Sequence, residues 1–82
     1  MPRFLKNWHL ISMNIIGPNV RRLRKKDNMT QEQLVAKCNL LGWSLSRGAL
    51  AKIESKVRRV TDHEVLLFSK ALKVKVTELF QQ

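Results

Sequence analysis

The spacing of apolar residues along the chain predicts short helices rather than strands. Ile16, Val20 and Leu23 recur at intervals of four and three residues, which places them on one face of a helix. Pro18 suits the first turn of that helix, because a residue there does not need its backbone N–H for a helical hydrogen bond. We therefore expect helix one to span about residues 18–27.

Two capping boxes predict where further helices begin. Thr30 with Gln33, and Thr61 with Glu64, have the spacing at which a hydroxyl and a side-chain amide or carboxyl satisfy each other's backbone N–H groups. The first box predicts helix two over about residues 31–40. The second precedes the most apolar segment of the chain, "EVLLFSKALKV", and "VTELF" after it predicts a short final helix.

The segment between helix two and the next apolar positions has an unusual composition. Gly42 can take a positive φ where helix two must stop. Trp43 beside it is too large to be left in water without cause, so we expect it to fold back onto the core. Ser46 is the next candidate N-cap, and it predicts helix three over about residues 47–55.

Five helices in 82 residues predict one compact all-α bundle. Residues 1–13 have no capping signal and only weak alternation of apolar and polar residues, so we interpret them as a flexible or loosely packed N-terminal arm. Residues 14–82 then form the domain.

The distribution of charge indicates a polyanionic partner. The formal net charge of the chain is +10. Residues 17–59 contain eleven basic and three acidic side chains, a net charge of +8, whereas residues 60–82 contain three of each. Plain solubility rarely requires such an excess of basic residues. Because the excess is concentrated in one half of the chain, it favours a nucleic acid as the partner.

Other classes of function have little support in the sequence. Cys38 is the only cysteine, so an internal disulfide is excluded, and we expect its side chain to be a buried small hydrophobe. His9 and His63 lie too far apart in sequence to predict a ligand pair. No metal site, cofactor or catalytic set is indicated, and no apolar run is long enough to span a membrane. We expect a cytoplasmic protein without enzymatic activity or a membrane partner, and a signal peptide is not predicted.

Two helices joined by a tight turn, the second short and preceded by Ser, form the helix-turn-helix plan. The segments "IGPNVRRLRKK", "TQEQL", "SRGALAKIES" and "VTDHEVLLFSKALKVKVTELF" occur in the order found in one family. Over about residues 16–80, the chain resembles the phage-repressor-like (XRE or Cro-type) helix-turn-helix domain. The resemblance implies a lambda-repressor-like fold and a sequence-specific regulator of transcription that binds double-stranded DNA, and we expect a repressor. Because one helix three reads only a few base pairs, and the part from Thr61 onward is neutral and rich in apolar residues, we expect the protein to bind as a dimer.

Three features depart from the pattern of that family. Val35 replaces the usual small Ala, and "NLLGW" lengthens the turn between helices two and three by about five residues. Similar Gly-Trp variants occur within the family. The longer turn affects the angle of helix three, which determines where that helix meets DNA. Lys73 and Lys75 stand where a Gly C-cap and a Ser N-cap are usual, so we expect the last helix to begin less firmly.

The start of helix three and the residues one turn later should meet base edges, because they point outward when Leu50 and Ile53 point inward. A guanidinium can fork onto the two acceptors of guanine, an ammonium can reach guanine or phosphate, and small residues permit close approach. The candidates for contact with bases are Arg47, Gly48, Ala49 and Lys52.

Phosphate contacts are expected at the helix starts and in the basic loop after helix three, and they position a protein without reading sequence. The candidates are Gln31, Ser46, Lys56, Arg58 and Arg59. The resemblance implies the phosphate contact of Gln31, and a capping role alone would explain Ser46. The family resemblance also implies that Arg24 and Glu54 form a partly buried structural pair between helices one and three.

Three alternatives remain beside a DNA-binding regulator. An antitoxin-like or regulatory module could use the same fold mainly to hold a protein, such as a toxin. RNA binding is less favoured, because no aromatic stacking platform alternates with the basic residues. An enzyme is least favoured, since the six acidic residues are scattered and no glycine-rich phosphate loop is present.

Overall fold

A computed structural model describes residues 14–81 of the chain, and within that range it contains five helices and no strand. The helices are α1 (Gly17–Lys26), α2 (Gln31–Leu40), α3 (Arg47–Glu54), α4 (Asp62–Leu72) and α5 (Val76–Leu79). The predicted all-α five-helix bundle is therefore confirmed. Helix α1 begins and ends one residue earlier than predicted, and α3 ends one residue earlier. The predicted N-terminal arm lies outside the described residues.

Side chains cap the starts of the three helices for which a cap was predicted. Thr30 and Gln33 form a reciprocal capping box at α2, with distances of 3.1 Å and 2.8 Å from backbone nitrogen to side-chain oxygen. Thr61 and Glu64 do the same at α4. The Ser46 hydroxyl accepts a 3.1 Å hydrogen bond from the backbone N–H of Ala49, the third residue of α3. These bonds satisfy N–H groups that have no partner within the helix.

Each of the first four helices is followed, within two residues of its end, by a residue in the left-handed conformation. These residues are Asn28 (φ 55°), Gly42 (φ 93°), Lys56 (φ 68°) and Lys73 (φ 57°). In every case the next N–H bonds to the carbonyl five residues earlier, which is the Schellman arrangement. Lys73 therefore takes the conformation that a glycine usually takes at this point. Helix α5 follows with Lys75 as its N-cap and without a side-chain capping bond.

The apolar core lies where α1 packs against α3, α4 and α5, and where α2 packs against α3 and α4. Phe68 of α4 is fully buried within it. The other core residues are Ile16, Val20, Leu23, Leu34, Cys38, Leu45, Leu50, Ile53, Ala71, Leu72 and Leu79. The core thus includes the inward face of α3, so the helix is held by apolar contacts along its length.

Trp43 folds back onto the core, as the sequence predicted, but it is half-buried rather than enclosed. Its ring meets the edge of Phe68 at a centroid distance of 5.0 Å and an interplanar angle of 72°. An Asn39 amide donates to the Trp43 carbonyl and to that of Leu45, which fixes the path of the turn. Leu40, in contrast, is 87% exposed.

Cys38 is buried among the core residues, and burial raises the pKa of its thiol to about 11. A thiol with such a pKa stays protonated at neutral pH, so Cys38 contributes to packing. Within residues 14–81 there is no helix of the length and apolar character that crossing a bilayer requires.

Candidate nucleic-acid interface

Helix α3 presents one exposed face to solvent. Arg47, Gly48, Ala51 and Lys52 are exposed, whereas Ala49 is half-buried and packs against the core. At 100° per residue, positions 48, 51 and 52 lie opposite the buried residues of the helix. Gly48 and Lys52, two of the four predicted base-contacting residues, therefore lie on the outward face, whereas Arg47 is exposed at the start of the helix and Ala49 lies at the edge of the face. Ala51 was missed, although it lies one turn after Arg47.

A buried ion pair connects the inward side of α3 to α1. Arg24 donates from Nε to Glu54 Oε2 at 2.7 Å and from NH2 to Oε1 at 3.0 Å. Both side chains are nearly enclosed, with exposures of 9% and 4%. Arg24 also donates to the carbonyl of Met29 at 2.8 Å, so the pair spans α1, α3 and the loop before α2. The geometry sets the rotation of α3 about its own axis.

The carboxyl end of α3 is held closely by the start of α1. The Asn14 amide donates to the carbonyls of Ile53 at 2.7 Å and Arg58 at 2.8 Å, and its oxygen accepts from the N–H of Gly17 at 2.8 Å. At Gly17 a Cβ atom would collide with the Ile53 carbonyl oxygen, so only glycine fits there. Asn14 and Gly17 thereby fix where α3 ends. No pattern in one sequence marks them, since both precede or begin the apolar stripe of α1.

The starts of α2 and α3 meet at three side chains. Gln31 donates from Nε2 to Glu54 Oε1 at 3.1 Å and accepts from Arg47 Nε at 3.3 Å. Arg47 NH1 also lies 3.6 Å from Glu32 Oε2. The structure thus brings together two predicted contact residues, Gln31 and Arg47, and adds Glu32, which the sequence analysis did not single out. Ser46 is exposed beside them and caps α3.

The loop after α3 carries the remaining predicted phosphate contacts. Lys56 and Arg59 are exposed, and Val57 between them is 74% exposed. Arg58 instead pairs with Glu64 at the start of α4, with distances of 3.1 Å and 3.0 Å from its two terminal nitrogens. Two backbone bonds to the Lys52 carbonyl close the loop against α3. Arg58 therefore ties the loop to α4.

The Arg58–Glu64 contact shifts the pKa values of both partners. Burial opposes ionisation of Glu64, but hydrogen bonds from Arg58 and Thr61 outweigh it, so the pKa of Glu64 lies below its ordinary value. The hydrogen bond to Glu64 raises the pKa of Arg58. Both side chains are charged at neutral pH, and the pair keeps the loop in one position.

In this fold the short helix α3, which has one exposed face, follows the capped helix α2. A family comparison agrees with this arrangement. A helix-turn-helix family model matches residues 20–79. The chain belongs to the XRE-type helix-turn-helix family. Comparison of the chain with curated proteins and with solved structures returned no match.

Membership of the helix-turn-helix family assigns roles to the elements described above. The family is a DNA-binding one, so this helix-turn-helix chain is a DNA-binding regulator. Helices α2 and α3 are the two helices of its motif, joined here by residues 41–46. The exposed face of α3, the starts of α2 and α3, and the loop of residues 55–59 together form the candidate interface. It belongs to the half of the chain with a net charge of +8.

Proposed function

We propose that this chain is a sequence-specific regulator of transcription, acting as a repressor, that inserts α3 into the major groove of double-stranded DNA. The observation that carries the proposal is the outward face of α3, where Arg47, Gly48 and Lys52 are exposed while the opposite face is anchored to α1. A major groove admits a helix, and a fixed helix is needed for side chains to meet base edges in register. A regulator of this kind acts in the cytoplasm, in the same compartment as the DNA that it binds.

The base contacts follow from side-chain chemistry at this face. Arg47 forks onto the O6 and N7 atoms of guanine, and Lys52 reaches a guanine or a phosphate one turn further on. Apart from its chain neighbours and the backbone of α3, no heavy atom lies within 4 Å of where a Cβ of residue 48 would stand, so the groove wall can approach Gly48. Ala49 packs its methyl against a thymine methyl at the edge of the face.

The phosphate contacts surround that face. The backbone N–H groups at the start of α2, beginning with Gln31, and the capped start of α3 at Ser46 favour an anion. Lys56 and Arg59 reach the backbone from the loop after α3. Arg58 supports them by holding the loop to Glu64, and the third of its side chain that stays exposed is available to a phosphate (exposure 35%).

Binding measurements on two variants test the proposal. Arg47→Ala should weaken binding to the preferred site by about 1–3 kcal/mol and hardly change binding to random DNA. Arg59→Ala should weaken binding to both by similar factors and make the dependence on salt shallower by about 0.9 in the log–log slope. A salt-independent affinity, or equal losses on both DNAs for Arg47→Ala, would contradict the proposal.

We further propose that the protein binds as a homodimer through α4 and α5. Residues 60–82 are neutral overall, so two copies can meet there without net repulsion. Leu66 of α4 and Phe80 after α5 are large apolar residues with exposures of 49% and 42%. Two copies of α3 would read twice as many base pairs as one, which a useful site requires.

Sedimentation equilibrium tests the dimer. Leu66→Glu should shift the protein toward the monomer, whereas Leu40→Glu, which changes an exposed leucine of α2, should not. A wild-type monomer that binds DNA with one-to-one stoichiometry would exclude the dimer.

The same exposed apolar residues favour the second candidate, a module that holds a partner protein such as a toxin. In that case the wild-type protein alone stays monomeric, and Leu66→Glu leaves DNA binding unchanged.

A further inference from the structure

Arg47, the proposed base-reading residue, is held by two side chains of the neighbouring helix. Its Nε donates to Gln31 Oε1 at 3.3 Å, and its NH1 lies 3.6 Å from Glu32 Oε2. The side chains of Arg47 and Glu32 are 66% and 65% exposed, so water competes for this contact. The guanidinium nevertheless has two partners, one at Nε and one near NH1, before any DNA is present.

The orientation of Gln31 is determined by the buried ion pair. An ionised carboxylate only accepts hydrogen bonds, so the NH2 end of the Gln31 amide must face Glu54, at 3.1 Å. The carbonyl end of the amide then faces Arg47 and accepts from it. A chain of contacts therefore runs from Arg24 and Glu54 inside the protein to the exposed guanidinium.

The contacts leave hydrogen-bond donors of Arg47 free for a base. A guanidinium has five N–H donors, one on Nε and two on each terminal nitrogen. Gln31 takes the Nε donor, whereas the Glu32 carboxylate, 3.6 Å from NH1, attracts the guanidinium without a hydrogen bond. Within residues 14–81 the two terminal nitrogens make no hydrogen bond, so donors on both remain for guanine O6 and N7. Glu32 and Gln31 can therefore keep their contacts while Arg47 meets a base.

We propose, on the basis of the proposed function, that Glu32 is a specificity-determining positioning residue that supports Arg47 at its guanine. A supported guanidinium loses less freedom when it forks onto one base, which favours that base. A phosphate accepts a guanidinium in many orientations and gains little from the support. Glu32 also repels phosphates on any DNA, so its carboxylate reduces general affinity while it sharpens the choice of base.

The two alternatives, a support and a competitor, predict opposite changes in specificity. If Glu32 only competed with DNA for Arg47, releasing Arg47 would leave the preference for guanine unchanged or increase it. If Glu32 supports Arg47, Glu32→Gln reduces that preference, because Arg47 then loses more freedom when it forks onto guanine. The size of an exposed ion pair limits the reduction to about two- to five-fold.

The test compares two duplexes that differ only at the guanine whose selection depends on Arg47. Binding of wild type, Glu32→Gln, Arg47→Ala and the double variant is measured on both, with Asp27→Asn as a control that removes an exposed carboxylate at the end of α1. We expect Glu32→Gln to bind both duplexes more tightly, with a preference for guanine lowered about two- to five-fold. Asp27→Asn should keep the preference, and Glu32→Gln should not lower it further when Arg47 is Ala.

An unchanged or increased preference in Glu32→Gln, or a loss that also appears on the Arg47→Ala background, would overturn the role of Glu32 and leave the proposed function intact. A wild-type protein that prefers no duplex sequence would overturn the proposed function itself.

Discussion

Arg24 and Glu54 face each other with two hydrogen bonds of 2.7 Å and 3.0 Å between α1 and α3. Each partner has a further contact, Arg24 with the Met29 carbonyl and Glu54 with the Gln31 amide. The buried charges are therefore hydrogen-bonded on several sides. A pair of this kind fixes an orientation and need not add net stability, because removing two charges from water costs free energy. In this protein the pair fixes the direction in which α3 points.

Breaking that pair should cost more than replacing it. Arg24→Ala leaves the Glu54 carboxylate buried without its partner, and we expect a loss of about 3–5 kcal/mol in the free energy of unfolding. Arg24→Met combined with Glu54→Leu should recover most of that stability but lower the discrimination between preferred and random DNA. Urea unfolding and DNA binding of the three proteins check this. Equal stability of Arg24→Ala and wild type would contradict it.

Gly17 and Gly48 should respond in opposite ways to the same substitution. Gly17→Ala forces a Cβ against the Ile53 carbonyl, so we expect a loss of about 1–3 kcal/mol. Gly48→Ala meets open space within α3 and should add about 0.5–1 kcal/mol by helix propensity. Gly48→Ala should nevertheless weaken binding to the preferred DNA, because its methyl group meets the groove wall. If Gly48→Ala bound the preferred DNA with unchanged affinity, the groove wall would not lie against this residue.

The Glu64 carboxylate should make stability depend on acid. Because its folded pKa lies below the ordinary value, the contribution is complete above about pH 4.3 and is lost as the pH falls through the folded pKa. Glu64→Gln retains a side chain suited to the capping box but loses the ion pair, so we expect a cost of about 0.5–1.5 kcal/mol at pH 7. The cost should fall away as the pH drops through the folded pKa of Glu64. Unfolding curves across this range, with Glu78→Gln as the control, test the sign, and a constant cost would contradict it.

Trp43 should matter for folding rather than for DNA contact. Its ring is half-buried against Phe68, so we expect Trp43→Ala to cost about 3 kcal/mol, the lower end for a large aromatic residue. Trp43→Phe should retain most of the stability because it keeps an aromatic edge there. Circular dichroism during thermal unfolding measures both. A stable Trp43→Ala protein that binds DNA weakly would instead place this ring at the DNA.

Local patterns were sufficient to predict the helices of this protein. The capping boxes at Thr30 and Thr61 involve residues three apart, and the apolar stripes repeat within single helices, so their physical causes are contained in short segments. The predicted helix starts differ from the observed ones by no more than one residue, because a cap marks a start more sharply than an apolar stripe does. The net charge of residues 17–59 likewise follows from a count of the charged residues in the sequence.

Contacts between distant segments could not be predicted in this way. Asn14 bonds to Ile53 and Arg58 across about forty residues of sequence, and the crowding at Gly17 depends on the backbone of another helix. The pairing of Arg58 with Glu64 is similar, since a basic loop residue looks available in sequence until α4 is placed beside it. Packing decides which charged residues of the loop remain exposed.

Selection of bound sequences from random duplex DNA tests the central claim, that α3 reads bases through Arg47. We expect enrichment of a defined motif that includes a guanine, with a palindromic form if the protein binds as a dimer. We also expect Arg47→Ala to select a motif from which this guanine is missing, while other positions remain. DNA binding without enrichment of any sequence, or an identical motif for Arg47→Ala, would contradict the account.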